Sequence, residues 1–166
     1  VQRSAGKENL EASNELFAQL VHEAHARGMK VILDGVFSHV GDRSPYFQSA
    51  ISDPNSPYRS WFQFQHYPDR YTSWWGITTL PCVNKMDPAF LDYLIDGPYS
   101  IAARWLMAGA DGWRLDVVDE LPDEFVLRLR RRIRQVKPSA ILIGEVWEDA
   151  SNKIAYDRRR RYFVDN

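Results

Sequence analysis

The sequence predicts an α/β fold in which helices alternate with the strands of a parallel sheet. Three apolar runs, at residues 30–36, 112–117 and 140–145, have the length and the β-branched content of buried strands. Amphipathic stretches precede and separate these runs, which is the order of repeated βα units with right-handed crossovers. Each run also carries an acidic residue at or near its carboxyl end. Because the carboxyl ends of parallel strands meet at one edge of the sheet, the acids are expected to converge there.

The predicted helices have recognisable ends. Ser13 is a good N-cap for a first helix that Gly28 terminates, and the polar residues 1–9 before it are predicted to form a loop. Asp87 followed by proline opens a second helix, which Asp-Gly-Pro at residues 96–98 interrupts and Ser100 caps again. Pro122 precedes a third, which ends at the Lys-Pro pair 137–138. Each of the three strands therefore follows a helix.

A long excursion without helical or strand periodicity covers residues 41–80. A loop of this length in a compact domain is uncommon unless it has a function. Its aromatic side chains either stack on a flat ligand such as a sugar ring or form the small core that holds the excursion together. They are Trp61, Phe62, Phe64, Tyr67, Tyr71, Trp74 and Trp75.

Composition limits the possible functions. The 166 residues are 45% hydrophobic, enough for one buried core, and the net charge of −1 gives no general attraction to nucleic acid or an anionic membrane. The arginine-rich stretch 128–134 is predicted to be the solvated face of a helix. Cys82 is the only cysteine, so an internal disulfide is excluded and a cytoplasmic location is favoured. No run is long enough to span a bilayer.

The acids themselves suggest catalysis. Arg114 and Asp116 lie two residues apart, hence on the same face of a strand, so the guanidinium can keep the carboxylate ionised as a nucleophile requires. An internal ion pair that fixes strand register is the structural alternative. Asp34, with His39 after it, and Glu145 follow from the other two strands. These side chains could also bind a metal, but one histidine without a His-x-His pair argues against a metal site.

The sheet is compatible with a TIM barrel or a doubly wound fold. No glycine-rich phosphate loop follows any of the strands, so the sequence gives no support for a nucleotide site at a switch point. In a barrel, acids from several strands converge at one face, which matches the pattern seen here.

Four stretches of the sequence contain these residues: Asp34-Gly35-Val36-Phe37-Ser38-His39, Leu80-Pro81-Cys82-Val83-Asn84, Gly112-Trp113-Arg114-Leu115-Asp116 and Gly144-Glu145-Val146-Trp147. In the same order, they resemble four sequence signatures of the α-amylase family of glycoside hydrolases. The third stretch, followed by Asp119-Glu120 where many amylases have Lys-His, is most similar to the neopullulanase, cyclomaltodextrinase and maltogenic amylase branch. The resemblance implies part of a TIM (β/α)8 barrel, about strands 3 to 5. Residues 1–40 and 81–166 would form the partial barrel, and 41–80 the insertion called domain B.

The resemblance also implies the catalytic roles. Asp116 would be the nucleophile that forms a glycosyl-enzyme intermediate, and Glu145 the general acid/base. In a retaining mechanism their carboxyl groups are roughly 5 to 5.5 Å apart. This chemistry requires a pKa of Glu145 that is raised relative to that of Asp116, and Trp147 would be the apolar neighbour that raises it.

Four residues are implied to surround the substrate, an α-glucan or maltooligosaccharide. His39 would bind the sugar at the cleavage point, with Trp147 nearby, Arg114 would orient the nucleophile, and Asp34 would organise the strand end. Ser38 stands where the family usually has the asparagine that helps to bind a structural calcium, so neither a metal nor another cofactor is expected.

The family's third catalytic acid belongs to a signature at the end of the seventh strand, which this sequence does not contain. The stretch 162–166 is superficially similar but follows Glu145 too closely. We therefore expect a segment of a catalytic domain with little activity by itself, and self-association through open sheet edges. A non-catalytic carbohydrate-binding module is the alternative, since such a module would keep the aromatic residues and dispense with the acids.

Overall fold

The three predicted strands pair in parallel in a computed structural model that describes residues 7–147, 149–150, 152–155 and 157–160. The sheet consists of β1 (Ile32–Gly35), β4 (Gly112–Leu115) and β5 (Ile141–Gly144), with β4 in the middle. Gly35 pairs with Leu115 and Leu115 with Gly144, so the three strands end at the same level. The predicted parallel sheet is confirmed. The loop predicted for residues 1–6 and the stretch 162–166 lie outside the described residues.

Glycine is required where β4 meets β5. A Cβ atom added to Gly112 would lie 2.1 Å from the carbonyl oxygen of Ile141, far inside van der Waals contact. The absence of a side chain at Gly112 therefore permits the close approach that aligns the two strands.

The helices follow the predicted order with one corrected boundary. Helix α1 spans Lys7–Ala26, so the prediction of a loop up to residue 9 and an N-cap at Ser13 was wrong. The first residues of this helix include lysine, glutamate, leucine and alanine, which are good helix formers and extend it by two turns. Gly28 ends the helical segment with φ of 73°, as predicted.

Between β1 and β4 the chain forms helices α3 (Pro88–Leu91) and α4 (Ile101–Met107), joined by a π-helical turn at Asp92–Asp96. The predicted cap is confirmed, since the Asp87 carboxylate accepts a hydrogen bond from the Phe90 N–H at 2.9 Å. Helix α5 (Asp123–Val136) connects β4 to β5.

The core lies between the sheet and helices α4 and α5. Trp113 and Leu115 of β4 are buried there, and the Trp113 indole donates a hydrogen bond to the Ala102 carbonyl at 3.3 Å. Phe125, Leu129 and Ile133 form the buried face of α5. Because side chains alternate along a strand, Arg114 lies on the opposite face of β4 from this core.

The arginine-rich face of α5 is mostly solvated, as predicted, because Arg128, Arg131 and Arg134 are exposed. Arg128 pairs with Asp96 at 2.8 Å, and Arg132 donates a hydrogen bond to the Gly97 carbonyl at 3.0 Å. These two side chains attach α5 to the turn before α4. No helix among the described residues has the length and apolarity needed to cross a membrane.

The excursion contains helix α2 (Pro45–Ser52) and a hairpin of β2 (Phe64–His66) and β3 (Arg70–Tyr71). Most of its aromatic residues form its own core: the ring of Phe47, for example, lies 5.0 Å from that of Phe62 and 4.7 Å from that of Tyr71. These aromatic residues therefore form the small core that holds the excursion together, which was one of the two predicted roles. The buried side chains of the excursion and those between the sheet and its helices form one hydrophobic core.

A buried acid joins three elements at the amino end of the sheet. The Asp111 carboxylate, 5% exposed as a residue, accepts hydrogen bonds from the Val31 N–H at 2.9 Å, Lys137 Nζ at 3.0 Å and the ring of His25 at 2.7 Å. Burial alone would raise the pKa of Asp111, but these three donors together hold it below its usual value. This end of the sheet is opposite to the acids predicted to be catalytic.

Candidate active site

Arg114 gathers three carboxylates at the carboxyl ends of the three strands. Arg114 Nη1 lies 2.7 Å from Asp34 Oδ1 and 2.9 Å from Asp116 Oδ1. Arg114 Nη2 lies 2.8 Å from Glu145 Oε2. The contacting oxygens of Asp116 and Glu145 are therefore at most about 8 Å apart, given the fixed geometry of the guanidinium fork. The sequence predicted that these acids converge, and the structure brings all three onto one cation.

The charge state of Arg114 is secured by these neighbours. Hydrogen bonds to Asp34 and Asp116 raise the pKa of Arg114 above its usual value, so the guanidinium stays charged. Among the described residues, no group of three or more His, Cys, Asp or Glu side chains is arranged to hold a metal.

Glu145 differs from the expectation. Its pKa is lowered, first by the Val117 N–H, which donates to Oε2 at 2.9 Å, and then by a hydrogen bond from Trp147 and by Arg114. Trp147 is 53% exposed, so it acts as a donor and does not enclose the carboxyl in an apolar environment. The apolar surroundings that were expected to raise the pKa of Glu145 are therefore absent in this structure, and its hydrogen-bond donors favour the ionised form.

The backbone after Asp116 makes that hydrogen bond possible. Val117 has φ of 39° and ψ of 67°, a left-handed conformation that is unusual for a β-branched residue. The strand consequently ends at Leu115, earlier than predicted, and the chain turns into a short 3-10 helix at Val118–Glu120. Strained backbone of this kind is characteristic of functional sites.

His39 is held from two sides. Ser38 Oγ lies 2.8 Å from His39 Nδ1, and the ring of Trp74 lies 5.3 Å from the imidazole. Burial lowers the pKa of His39, and Lys85 lowers it further, against the opposing effects of Asp116 and Glu120. The imidazole is therefore mainly neutral at pH 7.

A tryptophan cluster lines the same end of the sheet. Trp74 and Trp75 are stacked with ring centroids 5.0 Å apart, and Trp75 contacts Trp147 edge to face at 5.4 Å. The Trp75 indole also donates to Glu120 Oε1 at 3.4 Å. Trp75 is 66% exposed, so beside the acids the cluster presents an open aromatic surface of the kind that stacks on sugar rings.

The family model for the α-amylase catalytic domain matches residues 12–162 of the chain. The chain belongs to the α-amylase family. Neopullulanase 2 of Thermoactinomyces vulgaris is 36% identical over 150 residues, which are 86% of this chain and 25% of that protein. The intracellular maltogenic amylase of Bacillus subtilis (strain 168) is 36% identical over 141 residues, covering 82% of this chain and 23% of that protein.

Solved structures agree with this assignment. The type III pullulan hydrolase from Thermococcus kodakarensis superposes with a TM-score of 0.73 at 36% identity, over 81% of this chain and 24% of that one. The chain spans a quarter or less of the length of the curated relatives that it matches. The sheet β1–β4–β5 is thus part of a TIM barrel, and the predicted fold and family are both confirmed.

Within this α-amylase segment, sequence analysis missed three contributors. The contact of Trp75 with Glu120 and Trp147 was not foreseen, although all three residues lie in or beside stretches that were singled out. The donor role of the Val117 N–H depends on backbone conformation and has no signal in the sequence. Arg160 was not singled out, but it is buried, and its Nε lies 2.6 Å from Asp123 Oδ1.

Arg160 links the segment after Glu145 to the turn after Asp116. Its guanidinium also donates to the carbonyl oxygen of Leu121 at 2.6 Å. It follows a short hairpin of β6 (Ile154–Ala155) and β7 (Arg158–Arg159). The chain that leaves the Glu145 strand is thereby anchored to the chain that leaves the Asp116 strand.

Proposed function

We propose that the chain is part of a retaining glycoside hydrolase that cleaves α-glucosidic bonds in starch-type oligosaccharides. The observation that carries the proposal is the single guanidinium of Arg114, which contacts both Asp116 and Glu145. Family membership supports the reaction class, and the relatives include a neopullulanase, a maltogenic amylase and a cyclomaltodextrinase.

In the first step, a carboxylate oxygen of Asp116 attacks the anomeric carbon and the bond to the glycosidic oxygen breaks, with Glu145 giving its proton to that oxygen. Arg114 favours the ionised Asp116 that this attack requires. In the second step, Glu145 takes a proton from water, whose oxygen attacks the anomeric carbon and releases Asp116. The sugar product keeps the α configuration because it is inverted twice.

The first step requires a proton on Glu145, which the Val117 N–H and Arg114 disfavour in the open site. We propose that a bound sugar excludes water from this carboxyl, since its side chain is 31% exposed. Loss of solvent disfavours the charged form and raises the pKa of Glu145. Trp75 and Trp147 would provide the surface on which such a sugar stacks.

Replacing Glu145 by alanine tests the acid/base role. The variant is made in a polypeptide that adds the remaining length of the relatives' catalytic domain, because the 166-residue chain alone is proposed to turn over little substrate. With maltotriose, kcat is expected to fall by about 10²- to 10⁴-fold, the usual contribution of general acid/base catalysis. With a substrate whose leaving group needs no protonation, azide should restore turnover and give an α-configured glycosyl azide.

Glu124→Ala is the matched control, since Glu124 is exposed in the first turn of α5 and should leave kcat unchanged. Full maltotriose hydrolysis by Glu145→Ala would contradict the assignment. A non-catalytic carbohydrate-binding role is the second candidate, favoured by the exposed Trp75 and Trp147. It predicts maltotriose binding without hydrolysis, even in the longer polypeptide.

We also propose a cellular location for the chain and a mode of self-association. A cytoplasmic location is supported by the single cysteine, Cys82, and by the relative that is named an intracellular maltogenic amylase. Strands β1 and β5 each have a neighbour on one side only in the described sheet, so self-association through these edges is the physical expectation for the chain by itself.

A further inference from the structure

A buried hydroxyl lies directly beneath His39. Ser38 follows β1 and has no solvent-exposed surface, and its carbonyl oxygen accepts a hydrogen bond from the Val83 N–H at 3.0 Å. The next residue, His39, forms an antiparallel bridge with Cys82. Both residues are therefore fixed through the backbone, and the 2.8 Å contact of Ser38 Oγ with His39 Nδ1 joins two ordered groups.

The surroundings of Ser38 decide which group donates this hydrogen bond. Within residues 7–147, His39 Nδ1 is the only hydrogen-bond partner that the structure gives Ser38 Oγ. A serine hydroxyl always carries one hydrogen, whereas a neutral imidazole carries its hydrogen on only one of its two nitrogens. If Nδ1 were protonated, the hydroxyl hydrogen would be buried without an acceptor, which is costly. Ser38 therefore donates and Nδ1 accepts.

We propose that Ser38 is a positioning residue that fixes His39 in the neutral tautomer with its hydrogen on Nε2. Nε2 is then a hydrogen-bond donor for an acceptor oxygen of the sugar. The part concerning sugar rests on the function proposed above, whereas the tautomer is a property of the chain alone. Ser38 thus has a role other than that of the asparagine usual at this position of the family.

The charges around the imidazole are consistent with a neutral ring. Burial and Lys85 lower the pKa of His39, and Asp116 and Glu120 raise it. The Cys82 thiol on the bridged segment has a raised pKa through burial and carries no charge near neutral pH. Protonation of His39 would also put a hydrogen on Nδ1, so Ser38 could no longer donate to it.

The tautomer can be read directly by NMR. The probe is the 166-residue chain with ¹⁵N-labelled histidine, and long-range ¹H–¹⁵N spectra at pH 7.5 distinguish a protonated from an unprotonated ring nitrogen. The chain has four histidines, and His39→Gln assigns the resonances of His39. The expected spectrum shows Nε2 protonated and Nδ1 unprotonated, with the Nδ1 shift displaced by the hydrogen bond it accepts. Protonation on Nδ1 would overturn the proposal.

Ser38→Ala supplies the second readout. Loss of the donor should shift the Nδ1 resonance and raise the pKa of His39, because the neutral ring loses the hydrogen bond that favoured it. Ser52→Ala is the control, since the Ser52 hydroxyl is exposed and donates only to the Gln48 carbonyl. A folded Ser38→Ala variant with unchanged His39 shifts and pKa would also overturn the proposal.

Titration of the longer polypeptide, labelled in the same way, with maltotriose separates this inference from the proposed function. Ser38→Ala is expected to weaken maltotriose binding by about 3- to 10-fold, the range for one lost positioning hydrogen bond. If the tautomer is as described but maltotriose leaves the His39 resonances unchanged, Ser38 still sets the tautomer and the proposed function fails. If maltotriose binds and Nδ1 carries the hydrogen, the function stands and the role of Ser38 is refuted.

Discussion

Replacing Asp116 by alanine is expected to reduce kcat for maltotriose by about 10⁴-fold or more, as for other enzymes that lose their nucleophile. The physical reason is that alanine has no oxygen atom to attack the anomeric carbon, so the covalent intermediate cannot form. The measurement uses the longer polypeptide described for Glu145. Maltotriose binding should persist, since we propose that it depends on the aromatic surface and on His39.

Azide makes this prediction specific. In Asp116→Ala the space left by the carboxylate admits azide, which attacks from the nucleophile's side and gives a β-configured glycosyl azide. Glu145→Ala gives the α product, so the two variants assign the two roles by stereochemistry. Asp69→Asn is a matched control, because Asp69 is exposed on the turn of the β2–β3 hairpin and pairs only with His66 among the partners the structure gives it. An α product from Asp116→Ala would contradict the assignment.

Replacing Asp111 by asparagine should reduce the free energy of unfolding at pH 7 by about 2 to 4 kcal/mol, the range for removing the charge from a buried, hydrogen-bonded ion pair. The carboxylate joins Val31, His25 and Lys137 at the amino end of the sheet. Without it, the Lys137 ammonium loses its charged partner in a site that is largely buried. Urea unfolding of the 166-residue chain measures the effect, and Asp69→Asn should leave the midpoint unchanged.

The effect of this substitution should depend on pH in a defined direction. Because the pKa of Asp111 is lower in the folded state, its contribution to stability is fully present above the unfolded-state value of about 3.9. That contribution is lost as the pH falls through the folded-state pKa. The difference between the native chain and Asp111→Asn should thus be constant from pH 7 to about pH 5 and shrink in stronger acid. A difference that grows in acid would contradict this explanation.

The parallel sheet and the convergence of its acids were predictable because both depend on local patterns. Short β-branched runs ending in Asp or Glu, separated by capped helices, leave few other topologies. The pairing of Arg114 with Asp116 followed from the two-residue period of a strand. The start of α1 was missed because a serine within a run of helix formers is compatible with the helix interior as well as with its cap.

The electrostatics of Glu145 could not be predicted from the sequence, because they depend on a contact 28 residues away. The N–H of Val117 points at the carboxylate because the backbone at Val117 is left-handed. No residue type in the sequence predicts this conformation. The contact of Trp75 with Glu120 spans 45 residues and joins the excursion to the turn after β4. Such contacts depend on the tertiary structure. The sequence identified the residues that take part in them but not the contacts themselves.

Covalent trapping is the most direct test of the claim that Asp116 attacks and Glu145 assists. An activated fluorosugar of α configuration, whose glycosyl-enzyme intermediate hydrolyses slowly, is incubated with the longer polypeptide, and the protein is analysed by intact mass and peptide mapping. The account predicts a mass increase of one fluoroglycosyl unit, located on the peptide that contains Asp116 and absent from Asp116→Ala. A label on another acid such as Asp34 or Glu120, or hydrolysis with inversion and no label, would contradict it.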